Sequence, residues 1–222
     1  MRTRKAKLLA LAVVLLAAVV AGGVVAWLSD GATSRSEITT GKVDIRLVEE
    51  HWDAEQGKNL RPNDLLPRDP RIENKGRNDA YVFITLEQSV LPEGTALHSG
   101  TGNARAGEST PLFSTETQSG LPYDPTCWQL IDQQVRYSRL TQVYAYAVNN
   151  AMIPLRRGES TPTVFDGLRL ANVTDTKDIE GVSTAVTVTA YAIQTAELGK
   201  EGNVSSPRKV WSIVYNYHQS KK

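Results

Sequence analysis

Apolar and polar residues alternate along much of this chain with the period of two that turns one face of a β-strand inward. Val43, Ile45 and Leu47 interleave with Asp44, Arg46 and Val48. Ala80, Val82, Ile84 and Leu86 interleave with Tyr81, Phe83, Thr85 and Glu87. Within 142–148, Val143, Ala145 and Ala147 oppose Tyr144, Tyr146 and Val148. The run 184–195 is rich in Val, Thr, Tyr and Ile, the residues that suit a pleated surface, and is the plainest strand of all. Shorter strands are predicted at 68–74, at 127–131, and at 162–171 with a bulge at Gly167.

Turn formers punctuate these strands. Residues 53–63 are polar with Gly and Pro, and 74–79 read Asn-Lys-Gly-Arg-Asn-Asp between two strand patterns. Arg157-Gly158-Glu159-Ser160 predicts another turn. Residues 91–125 are rich in Gly, Pro, Ser and Thr, and predict a long surface insertion, which is either functional or disordered. Only near the end does the period change. Val210, Val214 and Tyr217, with Trp211 and Tyr215, recur at three and four, after Ser206 as N-cap and Pro207 at the first helical position. A short amphipathic helix is predicted over 207–217, seated on one end of the sheets, with a polar tail at 218–222. Many short strands and one helix predict an all-β, two-sheet antiparallel sandwich over 42–217. No fixed-period repeat suggests a solenoid.

The first segment departs from this pattern. Arg2, Arg4, Lys5 and Lys7 precede an unbroken Leu/Ala/Val run from Leu8 to Val20, then Gly22-Gly23 and Val24-Val25-Ala26. A basic start, an apolar middle and small or β-branched residues at −3 and −1 predict an export signal over 1–26, cut between Ala26 and Trp27. The alternative is an uncleaved anchor, since the run extends to Leu28 and is just long enough to span a bilayer. After cleavage the membrane has no further hold. Residues 27–41 are rich in Ser and Thr and predict an extended, mobile arm.

Charge and composition narrow the possibilities. The chain has 222 residues and a net charge of +1, and its basic excess sits in the signal, so the remainder is mildly acidic. That gives no footprint for nucleic acid. One cysteine, Cys127, excludes an intrachain disulfide and a Cys-based zinc cluster. Beside Trp128 it reads as a small buried hydrophobe, with an intermolecular disulfide as the alternative. The histidines are His51, His98 and His218, and none lies in the H-E-x-x-H spacing that presents two zinc ligands on one helical face. Asp124, Asp132 and Asp166 lack a nucleophile elbow to serve. Asp64, Asp69 and Asp79 offer the oxygen ligands calcium favours, without a supporting repeat. The pairs Tyr144/Tyr146 and Tyr215/Tyr217 suit packing better than sugar stacking. No catalytic residue, metal site or cofactor is therefore expected.

Several ordered blocks resemble the TasA/camelysin family. They are Trp27-Leu28-Ser29-Asp30 followed by Gly41-Lys42-Val43-Asp44-Ile45; Arg68-Asp69-Pro70 through Asn74-Lys75-Gly76 to Asp79-Ala80-Tyr81-Val82; Gly158-Glu159-Ser160-Thr161 with Val164-Phe165; and Thr189-Ala190-Tyr191-Ala192-Ile193-Gln194. Residues 91–125 match no block. The resemblance implies a jelly-roll-like sandwich, export with a signal cut by a dedicated SipW-type peptidase, and, in some members, assembly into biofilm matrix fibres. It also implies a competing metallopeptidase label.

Together these features predict a secreted cell-surface or extracellular-matrix structural protein. A loose arm anchored by Trp27, Leu28 and Ile38 could add a strand to a neighbour's sheet, giving self-association into fibres. The alternatives are that the arm folds onto its own subunit, that the chain is an adhesin acting through 91–125, or that it is a secreted metallopeptidase.

Overall fold

The computed structural model describes residues 34–36, 43–57, 60–98, 110–198 and 205–219. The signal segment 1–26, its Ala26–Trp27 junction and the arm anchors Trp27, Leu28 and Ile38 lie outside the described residues.

The strands in chain order are β1 (Ser34–Ser36), β2 (Ile45–Val48), β3 (Leu65–Pro67), β4 (Arg71–Asn74), β5 (Ala80–Ser89), β6 (Phe113–Glu116), β7 (Trp128–Arg136), β8 (Arg139–Val148), β9 (Ala151–Met152), β10 (Gly167–Leu170) and β11 (Thr187–Gln194). They build an all-β sandwich, as the alternation predicts. One layer is a six-stranded sheet in the order β1-β11-β5-β8-β7, with β9 paired to β8. The facing layer is split into a three-stranded sheet, β3-β10-β6, and a two-stranded sheet, β2-β4. Every pairing is antiparallel except that of β1 with β11.

The main core lies between the layers. Val82, Ile84 and Leu86 of β5, Tyr144 of β8, and Val188, Ala190 and Ala192 of β11 point into it from the large sheet. Ile45, Leu66, Ile72, Phe113 and Leu168 meet them from the facing strands. The opposite face of the large sheet is covered too. Phe83, Val143, Ala145 and Ile193 form a second apolar cluster with Val210 and Val214 of the C-terminal helix, Pro207–Gln219. The predicted helix therefore exists and begins at Pro207, but it lies against the outer face of the large sheet rather than at its end. Part of the outer face of β5, β8 and β11 is apolar as well, at Phe83, Val143, Ala145, Ala147 and Ile193, and that part needed a cover.

Three further expectations are corrected. Residues 91–125 are not a surface loop throughout, because Leu91, Leu112 and Phe113 are buried and β6 pairs with β10 in register. The strand expected at 127–131 runs on to Arg136 and turns back through Tyr137 and Ser138, both at positive φ. Gly167 marks no bulge. It pairs regularly with Pro67 and Glu116, and a Cβ there would meet Leu65 Cδ1 at 2.8 Å. The irregularity falls instead in β7, between Leu130 and Asp132.

Candidate functional site

The segment after β2 and the segment before β4 are clamped together by charge. Arg68 is fully buried, and its Nε donates to Glu49 Oε1 at 2.6 Å, with Nη2 to Oε2 at 3.4 Å. Nη1 donates to the Val186 carbonyl at 3.1 Å, and the guanidinium lies over the Trp52 ring at 4.6 Å. Beside it, Asp69 accepts from the His51 backbone N–H at 2.9 Å and contacts His51 Nδ1 at 2.8 Å. Arg71 donates to Glu50 at 2.5 Å. That bond holds the Glu50 carboxyl below its ordinary range. Thus Glu49-Glu50-His51-Trp52 and Arg68-Asp69-Pro70-Arg71 interlock side chain by side chain. Arg68 is a planar, always-charged group suited to such a two-pronged contact.

The next block closes on a different partner. Asn74 is buried, and its Nδ2 donates to the carbonyls of Asn78 at 3.0 Å and Leu155 at 2.9 Å. Its Oδ1 accepts from the Gly76 N–H at 2.9 Å. Its backbone exchanges bonds with the 157–160 turn, Asn74 N to Glu159 O at 2.9 Å and Gly158 N to Asn74 O at 2.8 Å. Thr161 then bonds Ile72 through both its backbone N–H and its hydroxyl. Two motifs far apart in sequence are therefore halves of one turn-on-turn junction. Along β5 and β11, Ala80 faces Gln194, so the Asp79–Val82 and Thr189–Gln194 blocks are also partners.

At the edge of the large sheet, Ser34, Arg35 and Ser36 pair in parallel with Val188, Thr189 and Ala190. The far edge, β7, is of another kind. It carries the Leu130/Asp132 irregularity and the polar run Asp132-Gln133-Gln134, devices that discourage a further strand.

The remaining candidates are dispersed. His51 is held by Asp69, the His98 backbone N–H donates to the Asn172 carbonyl, and His218 falls in the helix, where its side chain is not described. Asp166 accepts from Thr163 Oγ1 and Asp64 from Arg61 N, both turn-closing bonds, and Asp166 also accepts from Gln118 N of a distant loop. Asp132 accepts from Gln133 N and Gln134 Nε2. Among the described residues no three of His, Cys, Asp and Glu group as ligands for a metal ion. They do not fit a metallopeptidase centre. Asp64, Asp69 and Asp79 likewise do not converge on a calcium ion.

Cys127 is buried, and its Sγ donates to Asp124 Oδ2 at 3.3 Å. Burial, with the Asp124 carboxylate adding to it, pushes the thiol up to about 11. Asp124 itself is lowered, chiefly by the Thr126 hydroxyl bond. Tyr144 packs edge-on against Tyr123 and Phe165, and Tyr146 packs against Trp128, so both serve the interior. The Arg68–Glu49 pair was missed in the sequence, where the two residues sit 19 apart in separate loops. Its only signal is an arginine before Asp-Pro in an otherwise apolar setting.

No helix among the described residues is long and apolar enough to cross a membrane. No curated protein and no solved structure matches the chain closely enough to carry an argument. A family model described as camelysin metallo-endopeptidase matches residues 3–95, which include the export-signal pattern and the β2, β4 and β5 blocks. Over that part of its length the chain is similar to the camelysin family, in line with the blocks at 27–45 and 68–82; the blocks at 158–165 and 189–194 lie outside the match.

Proposed function

We propose that this is an exported cell-surface or extracellular-matrix structural protein without reaction chemistry, whose subunits associate by adding one chain's N-terminal strand to a neighbour's sheet. The observation that carries this reading is the parallel pairing of Ser34–Ser36 with β11. The pairing comes from the stretch between the signal pattern and the first core strand. Among the described residues it covers Val188–Ala190 of an edge that runs from Thr187 to Gln194. Three residues supply few main-chain hydrogen bonds, each worth a net ~0.5–1.5 kcal/mol. Exchanging this strand for the same segment of another subunit re-forms the same bonds, and a head-to-tail exchange repeats without closing.

The family blocks support the structural reading from a second side. Among the described residues they make the clamp and the turn junction, and no three of their His, Cys, Asp and Glu group as ligands for a metal ion. A SipW-type signal peptidase is the processing partner this reading requires, and the membrane is a partner only until Ala26 and Trp27 are separated.

The test is a paired cysteine experiment on the exported protein. Arg35→Cys and Thr189→Cys stand opposite each other in the pairing. Disulfide-linked ladders between subunits, with fibres by electron microscopy that vanish on deletion of 27–41, are expected. Ring closure within single chains, with no higher species at high concentration, overturns the assembly. Chelator-sensitive proteolysis by the purified protein, lost on changing His51 or His98, overturns the non-catalytic reading.

A further inference from the structure

The outer face of the large sheet changes character along its strands. At the end near Phe83, Ala145 and Ile193 it is apolar and covered by the C-terminal helix. Toward the other end the same face carries a cross-strand row, Glu87 opposite Thr141 and Thr141 opposite Gln134. The helix runs beside this row, with Trp211, Ser212, Tyr215 and Asn216 toward it. Between the two lies a groove of about 450 Å³, with the polar row as floor and Trp211 and Tyr215 of the helix as wall. That volume is in the range of small-ligand sites.

We infer that this groove is a binding site for a neutral carbohydrate chain. The wall is aromatic and fixed from behind. Trp211 packs against Phe83 at 5.3 Å with the rings tilted by 49° and meets Tyr191 edge-on at 5.3 Å, while Tyr215 continues the surface at 6.1 Å and is 44% exposed. Rigid ring faces at the rim of a polar groove match the apolar C–H face of a pyranose. The floor supplies planar polar heads, Gln134 bonded to Asp132 at 2.8 Å and Arg136 beyond them, which can bond vicinal hydroxyls two at a time. Two acids, Glu87 and Asp132, balance two bases, Arg136 and Arg139. Among the described residues none of these four is in an ion pair. The groove therefore holds charge of both signs outside ion pairs and no net pull on an anion, and a polyol can bond both signs. The site lies on β5, β7, β8, β11 and the helix, and its Tyr191 follows directly on the Val188–Ala190 stretch that pairs with β1.

The test titrates the full chain with neutral hexasaccharides built on glucose, mannose, galactose and N-acetylglucosamine, with hexagalacturonate as the anionic comparator. Binding is read by tryptophan fluorescence and calorimetry. At least one neutral hexasaccharide is expected to bind below about 1 mM. Tyr215→Ala weakens it by about tenfold. Gln134→Ala weakens it several-fold with an unchanged melting temperature. Tyr137→Ala, at the fully exposed tip of the β7–β8 hairpin, leaves it unchanged. Absence of binding by every neutral chain overturns the site, as does preference for hexagalacturonate. Binding that Tyr215→Ala and Gln134→Ala leave intact also overturns it.

Discussion

Arg68 and Glu49 meet as a two-pronged ion pair whose side chains are 0% and 4% exposed. A pair this deep is a poor source of net stability, because both charges lose their water. Removing one partner is another matter, since it strands the other charge in the interior. Glu49→Leu is expected to lower unfolding free energy by about 3–5 kcal/mol. The double change Glu49→Leu/Arg68→Met is expected to lose far less. Urea unfolding of the single and double variants checks both.

Asn74 ties the β4–β5 turn to the 157–160 turn. Asn74→Ala removes its three side-chain bonds, leaves the buried Gly76 N–H without its acceptor and leaves the buried Leu155 carbonyl with the Ala80 N–H as its remaining donor. The expected loss is ~3 kcal/mol. Asn74→Asp is also damaging, because a carboxylate cannot donate to the two carbonyls. Thermal unfolding of both variants, against an exposed control such as Lys75→Ala, measures this.

Tyr137 and Ser138 occupy the β7–β8 turn at φ 50° and 60°. Side chains rarely adopt this region without cost, and Asn-Gly is the natural choice there. Tyr137→Asn with Ser138→Gly is expected to stabilise the protein by about 1 kcal/mol. A rise in melting temperature checks it, and a fall contradicts the turn geometry.

Stability is expected to decline at both ends of the pH scale. Glu116 is lowered by its bond from Arg169, and Asp124 by the Thr126 hydroxyl. Groups lowered in the fold stabilise it above their ordinary values, and that contribution is lost as pH falls through the folded ones. Cys127 and Tyr144 are raised by burial to about 11 and about 12. They favour the fold below their ordinary values, and the benefit is lost as pH rises toward the raised ones. Cys127→Ala should flatten the alkaline limb between about 9 and about 11. In the native protein at neutral pH the thiol should stay unreactive toward a disulfide reagent, and it should react once the chain unfolds.

Much of this protein is written in local pattern. Alternation marked β2, β5, β8 and β11, and Ser206-Pro207 with spacing at three and four marked the helix, because those signals arise within a few residues of backbone. Other elements had no such signal. β6 lies in a Gly/Pro-rich stretch and exists because Phe113 fills the core beside β10, which is a contact between residues far apart in sequence. The β7–β8 hairpin turns on Tyr-Ser, where no turn chemistry announces it.

The sequence by itself determined the strand-rich composition, the family blocks and the amphipathic helix. Only the tertiary structure decided that Asn74 meets Gly158, that Arg68 meets Glu49, and that the helix covers part of an outer face and leaves a groove beside it. Periodicity records which residues seek burial. Which buried surfaces find one another depends on shape and hydrogen-bond satisfaction across the whole chain.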